Sequence, residues 1–193
     1  MTYTRRMAFS SLIGALILSG CRFYRDPPPV VIGGNAVSQD EPIMTALRAS
    51  SEHQRFVAAL EASGLDTELE GIGPFTVFAP IDSAFDGLSP QADKEQFAND
   101  PSLMKQVLLG HIVPARLKSE GLRFAFPQLN GKTKVFALNK QVIVVEGEIK
   151  TPHLVDMRDR RVDVTDRDAI AANGIIHVVD NLLLPKSEAE DSP

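Results

Sequence analysis

Four histidines, at 53, 111, 153 and 177, a run of aspartates at 156, 159, 163, 166 and 168, and one cysteine, Cys21, are the residues of this 193-residue chain best equipped for chemistry. A zinc centre needs three or four converging ligands, and the histidines stand alone, with neither a His-x-x-Glu-His nor a paired-histidine spacing. His177 lies inside the apolar run 175–179, which reads as a buried imidazole satisfied by a backbone group. His111 follows a helix, where exposed carbonyls favour a hydrogen-bond donor. The aspartates lack the alternating acids, glycine and closing glutamate of an EF-hand, so capping and surface solvation account for them. No Gly-x-Ser-x-Gly elbow occurs and no serine has a recognisable base beside it. Gly71-Ile72-Gly73 precedes a strand instead of following one, and reads as a turn, not a phosphate loop. The pattern predicts a chain that is not an enzyme and that carries no cofactor or metal.

Cys21 points elsewhere. Arg5 and Arg6 are followed by an apolar stretch over 8–18 and then by Leu18-Ser-Gly-Cys21, an export leader occupying residues 1–20. Eleven helical residues would span only ~16 Å of a ~30 Å bilayer core, too short for a permanent span. Small residues before a cysteine resemble the lipobox of bacterial lipoproteins, which implies diacylglyceryl attachment at Cys21 and cleavage just before it. Such a group would hold the chain to a membrane. The arginine pair also resembles, faintly, a twin-arginine signal. Arg22, not an aspartate, follows the cysteine, which implies outer-membrane sorting or a periplasmic face in a Gram-negative envelope. Residues 21–40 hold three consecutive prolines and Gly33-Gly34 and read as an extended tether reaching roughly 60 Å. Residues 186–193 read as a disordered acidic tail.

The formal net charge is −5, and loss of a leader holding two arginines makes the remainder more acidic still. That balance argues against a nucleic-acid partner, whose phosphates require clustered cations. Arg158, Arg160 and Arg161 are interleaved with acids and read as a solvated loop or strand edge. Residues 41–185 form one domain. Asp40 is placed to cap a helix carrying Ile43, Met44 and Leu47. Ser51 with Gln54 matches a capping box before Phe56, Val57 and Leu60, closed by Gly64. Asp100-Pro101 opens a helix over Leu103, Met104, Val107 and Leu108. Beyond this the period becomes two: strands over 135–138 and 141–145 flank an Asn139-Lys140 turn, and Val162 alternates with Asp163 and Val164. Asp168 is placed to cap a helical turn over 169–172. The class is α+β.

Two blocks carry the strongest pattern. FTVFAPIDSAF at 75–85 is a strand apolar on both faces, with Phe75, Val77 and Ala79 opposite Thr76 and Phe78; Pro80 ends it and Asp82 is placed to cap a short helix with Ala84 and Phe85. NGIIHVVDNLLLP at 173–185 opens on Asn173-Gly174, a dipeptide suited to a sharp turn, before a β-branched run. Between them lies LLGHIVP at 108–114. These blocks, with Phe75, Phe78, Pro80, Asn173, Gly174 and His177 as the motif positions, resemble the signature segments of the fasciclin-type adhesion domain. The resemblance implies a wedge of two β-sheets with helices packed around it, and a binding or adhesion module.

Some animal members use an Asp-Ile segment and a Tyr-His segment for integrin-type contacts. The matching positions are Asp168-Ala169-Ile170, interrupted by an alanine, and Gly110-His111, without the tyrosine; no Arg-Gly-Asp occurs. The resemblance thus marks His111, Asp168 and Ile170 as partner-binding positions for an unidentified protein or glycan. The alternative is a carrier of small apolar or lipid-like ligands, motivated by the phenylalanines at 75, 78, 85, 124, 126 and 136.

Overall fold

The computed structural model describes residues 29–87, 99–124, 132–148 and 151–186. Cys21 with its leader, Phe126 and the tail beyond Lys186 lie outside the described residues. In chain order come a hairpin of β1 (Val31–Ile32) and β2 (Asn35–Ala36), helices α1 (Ile43–Ala49), α2 (Gln54–Ala62) and α3 (Asp66–Leu69), strand β3 (Phe75–Pro80) and a 3-10 turn (Asp82–Phe85). Then follow α4 (Pro101–Gly110), β4 (Ile112–Val113), α5 (Ser119–Phe124), β5 (Thr133–Phe136), β6 (Val142–Glu148), β7 (Thr151–Val155), β8 (Arg161–Ala171) and β9 (Gly174–Val179).

Besides the small hairpin, the strands join in the order β4-β3-β9-β8-β7-β6-β5. The two signature blocks lie side by side in it: β3 and β9 run parallel, Phe75 opposite Gly174 through Pro80 opposite Val179. β8 makes the wedge because it serves two neighbours in succession, pairing β7 through residues 161–163 and β9 through residues 164–171. The α+β fasciclin-type architecture inferred from the sequence is the one observed.

Alternation along the central strands divides the interior. Val77, Ala79, Ile176 and Val178 face the helices, where they meet Ile43, Leu47, Phe56, Leu60 and Leu108. Phe78 and Val179 face the other way and pack with Val135, Ile143, Leu154, Val162 and Leu183. A strand buried on both faces must be largely apolar on both, and β9 is, His177 being its one polar side chain. Gly174 lets the blocks approach: a Cβ there would stand 2.1 Å from the Phe75 carbonyl oxygen.

Three helix starts differ from the sequence reading, for one reason. Asp40 does not cap α1, whose N-cap position is Pro42; the Ile43 N–H donates to Asn173 Oδ1 at 2.9 Å. Ser51 forms no capping box: α2 starts at Gln54 after His53, and its Arg55 N–H donates to Asp82 Oδ1 at 2.8 Å. Asp82 therefore serves α2 and not its own 3-10 turn, which has no side-chain cap. Orphan N–H groups need an acceptor, and a distant carboxylate or amide brought close by the fold serves as well as a local one. Where the partner is local the reading holds, as at Asp100, which accepts from the Ser102 and Leu103 N–H groups at 2.9 and 3.1 Å.

Two further expectations change. Residues 169–172 form no helical turn; they end β8 and lead through Ala172-Asn173 back into β9, so the tight turn is one residue earlier than Asn173-Gly174. Alanine-rich helix propensity is weak against ladder pairing with β9. The far half of the supposed tether is folded: β1 and β2 lie on the domain with Ile32 and Val37 buried in the main core.

Candidate functional site

The signature residues turn their polar atoms inward, onto the chain between β4 and α5. Thr76 on β3 donates through Oγ1 to the Ala115 carbonyl at 2.6 Å and accepts from the Leu117 N–H at 2.9 Å. His177, two places along in the parallel register, donates through Nε2 to the Leu117 carbonyl at 2.9 Å. Its Nδ1 accepts from the Asp168 N–H at 3.2 Å, and the ring stacks on Phe78 with centroids 5.6 Å apart. Two backbone partners settle the tautomer, and burial pulls the pKa below the ordinary value against the opposing pull of the Leu117 carbonyl.

Asp168 is available for this because β8 bulges there. The register with β9 shifts between Asp166 and Ala169, and Asp168 takes φ 59°, a conformation aspartate tolerates. Instead of capping its own neighbours, its carboxylate accepts from the Ser119 N–H at 2.7 Å and from the Ser119 hydroxyl, fixing the start of α5. Arg116 donates to the Ala172 carbonyl at 2.8 Å. Residues 114–120 are thus a strap held at several points, with Ala115, Leu117 and Ser119 turned inward and Pro114, Arg116, Lys118 and Glu120 exposed.

His111 belongs elsewhere. Its ring is fully buried, donating from Nδ1 to the Val107 carbonyl at 2.9 Å and accepting at Nε2 from the Leu183 N–H at 3.0 Å. Burial takes its pKa down to about 4. Its ring nitrogens are both engaged inside the protein, and it shares no hydrogen-bond partner with Asp168. Ile170, half-buried on β8 opposite Ile175, lies two residues beyond Asp168.

Asn173 is a cross-link as well as a turn residue. Besides capping α1, it donates through Nδ2 to the Leu69 and Gly71 carbonyls at 2.6 and 2.8 Å.

The arginine-rich loop also differs from its reading. Asp156, buried, accepts from the Arg158 and Arg160 N–H groups through Oδ1, and through Oδ2 from the Arg160 guanidinium at 2.7 and 3.0 Å and from the Leu184 N–H at 3.1 Å. With His111 and with Gln141, which donates to the Leu184 carbonyl at 3.0 Å, it locks residues 182–184 into the second block. Sequence reasoning missed Thr76, Ser119 and Asp156 as organisers; Thr76 and Asp156 are each flanked by apolar residues, and Ser119, between Lys118 and Glu120, carries no local signal.

Among the described residues no group of three or more His, Cys, Asp or Glu side chains could hold a metal ion, and no helix is long and apolar enough to cross a membrane. The site's hydrogen bonds are almost all spent on main chain, which makes it a scaffold for a displayed segment.

Known proteins share this fold. Residues 51–185 match the family model described as the Fasciclin domain. The transforming growth factor-beta-induced protein ig-h3 of Sus scrofa is 29% identical over 132 residues, 67% of this chain but 17% of its own length, so the chain spans about a sixth of that relative. Protein sll1483 of Synechocystis is 27% identical over 192 residues, covering 95% of this chain and 98% of its own. A FAS1 domain pair from the insect cell adhesion molecule Fasciclin I superposes with a TM-score of 0.63 and 23% identity, over 75% of this chain and 51% of that one. With the family profile matched from α2 to the end of the second signature block, and the same fold in a solved relative, the chain belongs to the fasciclin domain family.

Proposed function

We propose that the chain is a membrane-anchored bacterial lipoprotein whose fasciclin domain is an adhesion module for a protein or glycan, with the strap over 114–120 as the contact face. The observation that carries this is the inward turn of Thr76, His177 and Asp168: buried polar groups are spent on holding a short segment of otherwise irregular chain whose alternate side chains face solvent. Rigid display of a loop is how scaffolds present binding residues. The adhesion role of Fasciclin I and the full-length similarity to a cyanobacterial protein accord with this reading. Phe78 and Phe85 are spent in the cores, which removes residues that favoured a lipid carrier.

Crosslinking in the native host, read by mass spectrometry, tests the face. Crosslinks to one partner should concentrate at Lys118, and Glu120→Ala, which leaves the Lys118 amine in place, should reduce them about tenfold, a ~1.4 kcal/mol loss. Equal crosslinking at Lys105, Lys118 and Lys140, unchanged by the substitution, would remove the strap from consideration. The anchor has its own test, since Cys21→Ser should move the protein from the detergent phase to the aqueous phase on phase partitioning. Unchanged partitioning would rule out lipid attachment there.

The folded hairpin alters the geometry of the anchor. Only residues 22–28 separate Cys21 from the described fold, a reach of about 23 Å at ~3.3 Å per residue, so the domain would ride close to the headgroups.

A further inference from the structure

The hairpin of β1 and β2 is clasped to the loop between α1 and α2. The Gly33 carbonyl accepts from the Ser51 N–H at 3.2 Å and from the Ser51 hydroxyl at 2.9 Å, and Asn35 donates to the Ala49 carbonyl. Gly33 takes φ 49° directly over Ser50, where a Cβ would stand 2.0 Å from the hydroxyl oxygen. The loop's own shape depends on Ser50, whose hydroxyl accepts from the Glu52 N–H at 3.3 Å and lies 2.7 Å from His53 Nδ1. Both Ser50 and His53 are fully buried.

His53 is the weak point of this clasp. Its Nε2 is buried without a hydrogen-bond partner, alone in that among the side-chain polar atoms of the described residues. A neutral ring can leave that nitrogen as a bare acceptor while Nδ1–H donates to Ser50. A second proton would create a buried charged donor with no acceptor in good hydrogen-bond geometry, a costlier state. The groups facing the ring are Glu52 from the loop, Asp82 from the 3-10 turn, Asp166 from β8 and the Ala79 carbonyl from β3. All favour the charged ring, the Ala79 carbonyl as a hydrogen-bond acceptor, yet Nε2 closes no well-formed bond and burial outweighs them to leave the pKa below its ordinary value.

We propose that Ser50 and His53 form an acid-sensitive clasp, in which protonation of His53 opens the α1–α2 loop and frees the β1–β2 hairpin from the domain. On the lipoprotein reading above, release adds residues 29–40 to the linker and lengthens its reach from about 23 Å to about 63 Å. Acid then converts a domain held at the membrane into one extended from it. The sign is fixed by chemistry: the closed form requires the neutral ring, so closure is complete above the histidine's titration range and is lost as pH falls through it.

Amide hydrogen exchange on the full chain in detergent micelles tests the clasp without reference to any anchor. After correction for intrinsic rates, the Val37 and Ser51 amides should lose protection at least tenfold between pH 7 and pH 5. In His53→Gln that pH dependence should vanish at these two amides while remaining on β9. Ser50→Ala, which keeps the imidazole but deletes its partner, should expose both amides already at pH 7 and leave β9 protected. Protection at Val37 and Ser51 that is indifferent to pH in the native chain, or unchanged by Ser50→Ala, would overturn the proposal while leaving the adhesion reading untouched.

Discussion

Asn173→Ala lowers the free energy of unfolding by about 3 kcal/mol, roughly 10 °C in melting temperature for a domain of this size. One amide joins three elements: its oxygen caps α1 at Ile43, and its nitrogen closes the carbonyls of Leu69 and Gly71 after α3, while the backbone turns β8 into β9. Truncation leaves one donor and two acceptors unpaired, each worth on the order of 1 kcal/mol. Two companion substitutions separate this from a backbone role. Asn173→Gly would be nearly harmless if the residue served only to make a turn, and should instead cost as much as alanine. Asn173→Asp would ordinarily suit a helix N-terminus, but here the second oxygen would face two carbonyls, so it too should destabilise. Thermal and denaturant melts of the three variants decide, and a glycine variant melting with the native protein would return Asn173 to a turn residue alone.

The same residue shows what was legible in the sequence. Strands at 75–80 and 174–179 and the helix at 101–110 follow from apolar period, proline and capping chemistry, all local properties. Their assembly side by side came from recognising the blocks as a pair. What escaped was the destination of polar side chains. Asn173 reaches Ile43 across 130 residues, Asp168 reaches Ser119 across 49, and Asp82 reaches Arg55 across 27. Asp82 and Asp168 read as caps for their own neighbours, because capping rules assume a partner within one turn, and Asn173 read as a turn residue alone; each instead serves a helix that only the folded topology brings near. His177 was readable because an imidazole inside an apolar strand has few other options. His111 was readable as a donor to a helix carbonyl, but the family motif that marked it for partner contact carries no information on burial.

The candidate site inverts the usual emphasis for the same reason. Residues singled out by type were Asp168, His111 and His177, yet their functional atoms are consumed inside the protein. The strap that Asp168 and His177 hold in place exposes Pro114, Arg116, Lys118 and Glu120, residues with no chemical distinction in the sequence. A recognition module needs complementarity of shape and charge at a displayed face, and such a face is a property of the fold.

Acid should unfold this domain more steeply than its carboxylates alone require, because three histidines are buried in the neutral form. His53, His111 and His177 all have pKa values lowered chiefly by burial, His111 to about 4. Unfolding restores each to its ordinary value near 6.5. Between pH 6.5 and the folded values the unfolded chain binds protons that the folded chain refuses, so stability is fully present above pH 6.5 and declines as pH falls. For His111 the loss is about 2 kcal/mol from pH 7 to pH 5 and about 3 kcal/mol by pH 4, and His53 and His177 add losses of the same sign. Chemical denaturation followed across that range should therefore show a slope between pH 6 and pH 5 exceeding the ~1.4 kcal/mol per unit that one proton supplies. His111→Gln keeps an amide donor for Val107 and an acceptor for Leu183 but cannot titrate. It should be less stable at pH 7 through imperfect fit, and its pH slope should be shallower by about one proton. A variant whose slope matches the native protein would show that His111 is already protonated in the fold, and with it that the Leu183 N–H cannot be donating to Nε2.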